Sequence, residues 1–540
     1  MKTPKSRMRP RRAHVFWMLA TSALAASSWP VHAAGETGGA GPHFAITRFA
    51  VEGNSLLPAA EVEGLLARFA GPDRDFADVQ SAVEALQEAY RRHGYSVVRV
   101  QLPEQELDRG VVQVKVIEPR IGQVRVEGNR AFSTANIRAS LPGLREGVAP
   151  NVRDISASLK VANTNPAKQT TLELKDGSQP GTVDAALRVA EEKPWRIGLN
   201  ADNTGSPDTG RTRLGVLVQH ANLWGRDHVG SLQYTTTVED PSKVSVYGAG
   251  YHVPLYALGD SMDFFASYSN VNSGAITAGV LNLQVSGKGS VAGARYNHAL
   301  PQWGKLASTL VAGIDWRAYR NNVDLAGFQL GGDVTVRPLS LTYSGQLALA
   351  SGLLGFQLTG VQNIPGGANG GDAAFSAQRV GALANYRLLR YGAGYTQQLP
   401  RDWQLRLQLS GQSTSDALVP GEQFGAGGAA SVRGFQEREV AGDSGHFASA
   451  EIETPNWCPA GAAVSVQCHA VAFLDAASVS RNNALPGEQQ RTSIASTGLG
   501  LRFALEKNAA LQVDYGRVLD GGGVRSRGDS RIHVALSLSY

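Results

Sequence analysis

The chain has 540 residues, of which 18% are charged and 42% hydrophobic, with 62 glycines and a mean hydropathy of −0.17. Those values exclude both a disordered polymer and a bundle of membrane helices. Six of the 51 basic residues lie in the first twelve positions, and without them 45 basic residues face 46 acidic ones, so the formal +5 gives no support for a nucleic-acid partner.

Those six, Lys2, Lys5, Arg7, Arg9, Arg11 and Arg12, precede the apolar run Val15-Phe16-Trp17-Met18-Leu19-Ala20 and then Val31-His32-Ala33. Residues 1–33 therefore read as a secretory signal cleaved after Ala33, and 34–43 as a short Gly-rich linker. From Phe44 the texture is mixed. Ala45 to Val51 alternates like a strand and ends in the turn signal Glu52-Gly53-Asn54. Val62, Leu65, Leu66 and Phe69 share one helical face, and Val79, Val83, Leu86 and Tyr90 another, closed by His93-Gly94. Tyr95 to Val100 and Val111 to Val116 then alternate as a strand pair, giving the order β-α-α-β-β.

The pattern restarts 75 positions later, with Ile46 mapping to Ile121, Val51-Glu52-Gly53-Asn54 to Val126-Glu127-Gly128-Asn129, and Leu66 to Leu141. The duplication divides the region into units at 44–119 and 120–194. A repeated β-α-α-β-β unit in an exported chain resembles the POTRA domain of the Omp85 superfamily, which is periplasmic.

From 195 to 540 there are 346 residues with no apolar run near the 18 needed for a membrane helix. Their period is two: Leu405, Leu407 and Leu409 alternate with Gln404, Arg406, Gln408 and Ser410. At about 9–11 residues per strand, sixteen strands need roughly 160 positions, which fits a transmembrane antiparallel β-barrel, although periodicity does not separate 16 from 14 or 18. The final segment alternates most cleanly, and Leu538 and Tyr540 resemble the C-terminal assembly signal of outer-membrane proteins. Trp195, Trp224, Trp303, Trp403 and Trp457 sit in or beside short turns, where they would form an aromatic belt at the periplasmic interface. Gly- and Ser-rich stretches such as 366–372 and 520–529 read as the opposite, extracellular loops. Cys458 and Cys468, ten apart in an exported chain, read as a disulfide; no second ligand pair supports a metal.

The longest loop, 411–445, holds Val432-Arg433-Gly434-Phe435, which matches the loop-six motif of Omp85 proteins. Phe473-Leu474-Asp475 matches the strand motif Phe-x-Asp-x-Gly that partners it, with Ala477 in place of the final glycine. An arginine in a protein-lined lumen keeps its proton, and a carboxylate suits its planar fork. Strand parity turns Phe473 and Asp475 inward and Ala472, Leu474 and Ala476 outward, so the pair would fold the loop into the lumen.

Two repeats, followed by Asp202-Asn203-Thr204-Gly205, Thr209-Gly210-Arg211 and Asn222-Leu223-Trp224-Gly225, are similar to the TpsB transporters of two-partner secretion. The resemblance implies an outer-membrane pore that secretes one TpsA-type exoprotein without ATP. It implies further contacts with outer-membrane lipid and, during biogenesis, with the barrel-assembly machinery. The edge carrying Tyr95, Val97, Arg99 and Gln101 is a candidate partner-binding strand. With so short a linker, no long N-terminal helix is expected in the pore. An assembly or insertion factor of the Omp85 type shares this fold and is the alternative; a passive porin would leave the repeats without a task. No enzyme, cofactor or metal is expected: Gly442-Asp443-Ser444-Gly445 looks like a serine-protease segment, but it belongs to the loop and lacks partner motifs.

Overall fold

The computed structural model describes residues 43–106, 110–207, 209–270, 274–278, 281–285, 288–320, 323–325, 328–330, 332–458 and 465–540. The signal at 1–33, its cleavage after Ala33, nearly all of the linker and the expected lack of an N-terminal pore helix lie outside the described residues.

Two small sheets come first. Arg48–Glu52 and Arg99–Gln101 flank a central Val111–Ile117, the first parallel to it and the second antiparallel. Helices Ala59–Leu66 and Phe76–Arg92 cover one face through Val62, Leu66, Val79, Leu86 and Tyr90. The longer helix starts at a reciprocal cap between Asp75 and Asp78. The second sheet repeats the order, with Arg120–Glu127 and Lys168–Asp176 beside Thr182–Glu191 and helices Thr134–Ala139 and Val152–Ala162 over it.

The duplicated tetrapeptide has a mechanical reason. Gly53 and Gly128 adopt φ of +89° and +86°, and a Cβ on either would come within 2.3 Å of a carbonyl oxygen, of Val116 or Val189. Asn54 and Asn129 then close the following turn on the carbonyls of Leu57 and Phe132, at 3.0 and 2.9 Å.

Two strand assignments need correction. The run from Ala45 breaks at Thr47, so Phe44–Ile46 pairs with Gly71–Arg74 instead of the main sheet. The edge strand begins only at Arg99; Tyr95 and Val97 lie in a turn, because Gly94, at φ +94° just after the His93 C-cap, is followed by a turn closed from the Val98 N–H to the Tyr95 carbonyl.

The rest is a closed antiparallel barrel running from Trp195–Asp202 to Ser530–Ser539, sealed by pairs from Gly198↔Ser539 to Asp202↔Ala535. Val334–Val336 and Pro338–Ala348 both pair with Leu306–Tyr319 and form one interrupted strand, which makes sixteen. That is the count the length favours. Outward residues such as Leu474 and Leu499 are exposed and inward ones buried, the alternation expected between lipid and lumen. Trp224, Trp303 and Trp403 lie in short turns, and Trp457 in the longer connection after Glu453, at the end where the second small domain joins Trp195, and all five are exposed. The 366–372 stretch leads into a helix, Asp372–Gln378, whose Phe375 is buried against Tyr386 and Leu418.

The second small domain is bolted to the barrel rim. The Lys168 ammonium and the Asp227 carboxylate form a buried ion pair, and Asn136 Nδ2 donates to the same carboxylate at 2.8 Å. Tyr256 also donates to Asp227, Asn165 Nδ2 donates to the Ala221 carbonyl at 2.6 Å, and Ser158 to the Tyr256 carbonyl at 2.8 Å.

Candidate functional site: the loop in the barrel lumen

The loop is shorter than 411–445, because Gln404–Ser413 and Ser444–Glu453 extend into both ends and leave 414–443 outside the wall. It folds back as a hairpin, Phe424–Ala426 against Val440–Gly442. At its tip Val432 and Phe435 are fully buried and pack with Phe447, Ala477, Val479, Ile494 and Val518 of the wall. Ala477 therefore occupies a packed position, and its methyl group contributes to the cluster that holds Phe435.

Between them Arg433 is 4% exposed and meets Asp475, which is 0% exposed. Nε and Nη2 donate to the two carboxylate oxygens at 2.8 Å each, and the Arg433 backbone N–H donates to Oδ2 at 3.1 Å. Nη1 pairs with Glu451 at 2.6 Å and lies 3.8 Å from Asp514. The guanidinium carbon stacks 3.4 Å from the Phe473 ring centroid. Ser449 donates to Asp475 Oδ1 at 2.6 Å, completing the carboxylate's shell.

Gly434 has φ +94°, and its N–H donates to His533 Nε2 at 3.0 Å. Opposite it stands Gly516, where a Cβ would come within 2.5 Å of the Gly434 nitrogen. The motif thus combines two apolar anchors, a charged fork and a glycine pair that lets backbone cross backbone. Glu451, Asp514, Gly516 and His533 escaped the sequence reading. The signal for them is parity: each sits at an inward position of an amphipathic strand.

The other candidate residues lie elsewhere. Arg99 and Gln101 are exposed on the sheet edge, with Arg99 also paired to Asp176 of the second domain at 2.8 Å, while Tyr95 packs on the domain core. Cys458 is joined to Cys468 with Cα atoms 5.3 Å apart. Leu538 faces outward opposite Leu199, and Tyr540 exchanges backbone bonds of 2.9 Å with Ile197. Asp443 of the protease-like tetrapeptide accepts from the Leu418 and Asn482 N–H groups at 3.0 and 2.7 Å and from Arg379, so its carboxylate braces the loop base.

Residues 181–503 match the family described as haemolysin secretion/activation protein ShlB/FhaC/HecB, and 44–119 match the ShlB-type POTRA domain. The chain belongs to this family. Outer membrane transporter CdiB of Escherichia coli O6:K15:H31 is 26% identical over 429 residues, covering 76% of this chain and 69% of that protein. The heme/hemopexin transporter HuxB of Haemophilus influenzae is 20% identical, covering 74% and 70%. The solved structure of CdiB from Escherichia coli shares the fold with a TM-score of 0.73 at 20% identity, covering 94% of this chain and 92% of that one. The transporter is an outer-membrane pore of two-partner secretion with its N-terminal domains in the periplasm.

Proposed function

We propose that the transporter takes up a TpsA-type exoprotein at its first domain and releases it through a bore that the Arg433 loop otherwise crosses. The observation that carries this reading is the loop itself: a hairpin inside a closed barrel, retained by Val432, Arg433, Gly434 and Phe435 against Phe473 and Asp475.

In this reading the units at 44–119 and 120–194 are the periplasmic receptor and its joint to the pore. The passenger adds a strand at Arg99–Gln101, where backbone bonds give affinity and alternate side chains give choice, with Tyr95 and Val97 shaping the approach from the turn. No catalytic step is needed, since folding of the passenger outside biases its passage. Lipid covers the outward faces, the barrel-assembly machinery reads the strand ending in Leu538 and Tyr540, and the Cys458–Cys468 bridge ties one turn at the domain end of the barrel. The test is exoprotein recovered from the medium. Gln101→Pro and Gln101→Glu should lower it while the barrel keeps its heat-modifiable mobility on gels, and undiminished secretion would refute the docking edge.

A further inference from the structure

Besides Arg433 and the Asp443 carboxylate at its base, the lumen loop buries a further charge, Glu422, opposite in sign to Arg433 and on a different wall. Glu422 ends the short turn Pro420–Glu422 at the start of the hairpin and is 1% exposed. Its Oε1 accepts from Arg317 Nη1 at 2.8 Å and from the Tyr319 hydroxyl at 2.7 Å; its Oε2 accepts from Arg317 Nη1 at 3.1 Å and from Arg390 Nη2 at 3.3 Å. Arg317 is itself held by Asp315 at 2.6 Å. Gln412 donates to the Glu422 and Asp443 carbonyls at 3.0 and 2.9 Å and so grips both limbs where they leave the wall.

The two charges brace the loop across the bore. Arg433 enters an acidic cup on Ser444–Glu453, Val466–Ser480 and Ala509–Asp520, the twelfth, thirteenth and fifteenth strands. Glu422 enters a basic cup on Leu306–Tyr319 and Arg387–Gln398, the seventh and tenth. A loop fixed at one wall could swing aside about that point. One fixed at both cannot clear the bore until both contacts part.

We propose that Glu422 is a second latch, a positioning residue whose pairing with Arg317 and Arg390 keeps the first limb of the loop in the lumen and so sets how often the pore opens. This rests on the pore reading above. Removing the charge takes away the carboxylate that Arg317 and Arg390 share and leaves Arg317 with Asp315 alone, and losing one partner of a buried pair is costly.

The test is single-channel recording of the purified full-length protein in planar bilayers, with heat-modifiable mobility as the check on folding. Glu422→Gln keeps shape and loses charge; it should raise the open time roughly ten-fold or more over the parent, and Arg390→Gln, which spares Arg317, should raise it less. A purely structural role would alter mobility without lengthening openings. If Glu422→Gln does not fold, Arg390→Gln decides on the same criterion. A parent that conducts beside variants that open no longer than it does overturns the latch alone, and absence of current from every protein overturns the latch and the pore reading together.

Discussion

Asp475 binds Arg433 twice, through the guanidinium fork at 2.8 Å and through the arginine's own backbone N–H at 3.1 Å. The carboxylate therefore fixes the loop's main chain as well as its charge, and the stacked Phe473 ring leaves little freedom for the fork to turn.

Arg433→Lys should fail despite keeping the charge, because an ammonium cannot supply two parallel bonds or stack as a plane. The expected loss of loop retention is about 1.5–3 kcal/mol for Arg433→Lys and roughly 3 kcal/mol for Asp475→Asn, which breaks the buried fork and leaves Glu451 as the close carboxylate of the arginine. Protease added outside intact cells should then cut within 414–443 faster in both variants, and equal cutting rates would contradict the geometry.

Gly516→Ala tests the backbone crossing without touching any charge. The added carbon would fall within 2.5 Å of the Gly434 nitrogen and 2.7 Å of the Arg433 carbonyl carbon, so the tip must lift off the wall. The barrel strand itself tolerates alanine. The expected outcome is secretion and protease sensitivity shifted in the direction of Asp475→Asn, with unchanged heat-modifiable mobility.

How far the sequence carries the fold follows from where each signal resides. Barrel strands are legible because lipid and lumen impose period two on every one, and Phe473 and Asp475 inherit their orientation from it. Glu451 and Asp514 meet Arg433, and His533 meets the Gly434 N–H, from three different strands, and only three-dimensional closure gathers them. Asp372–Gln378 is a seven-residue helix after glycines, ordered by the packing of Phe375 and not by propensity. The alternation from Tyr95 to Val100 suggests a longer edge strand than forms, because the left-handed Gly94 after the helix cap and the turn that follows override it.

A second duplicated feature hides behind unequal spacing. Glu118 accepts from the Ser55 and Leu56 N–H groups at 2.8 and 3.1 Å, and Glu191 from the Arg130, Ala131 and Phe132 N–H groups at 2.8, 2.7 and 3.2 Å, so each acid clasps the turn after its Gly-Asn pair. Burial pushes the Glu118 carboxyl up, but hydrogen bonds from Ser55, Tyr90 and Leu56 outweigh it and hold it below the usual carboxylate range. The folded value lies below the unfolded one, so this stabilisation is present at neutral pH, above the unfolded value of about 4.3, and fades as pH falls through the folded value. Glu118→Gln should cost about 1 kcal/mol at neutral pH, discounted for the partial exposure of the site. Hydrogen exchange at Ser55 to Leu57 should quicken in the variant, and the gap from the parent should narrow in acid.

The joint between the second domain and the barrel makes the opposite kind of prediction. Burial pushes the Lys168 ammonium below its usual range, and Asp227 and Glu191 only partly restore it. Because the folded state already holds that proton weakly, stability tied to Lys168 grows as pH rises from the folded value toward about 10.4. Asp227→Leu removes the paired carboxylate, strips Tyr256 of its acceptor, leaves Asn136 with Asn222 alone and leaves the buried cation without its direct partner. Adding Lys168→Met to it removes the cation while Tyr256 stays without that acceptor, so the double variant should regain about 2 kcal/mol over the single one. The readout is hydrogen exchange of Asn165 to Lys168 and Asn222 to Asp227 in the detergent-solubilised transporter. Exchange in the Asp227→Leu variant should slow as pH rises, after correction for intrinsic rates, whereas the double variant should show no such slope; strictly additive effects of the two substitutions would mean that the ammonium and carboxylate do not share one buried site.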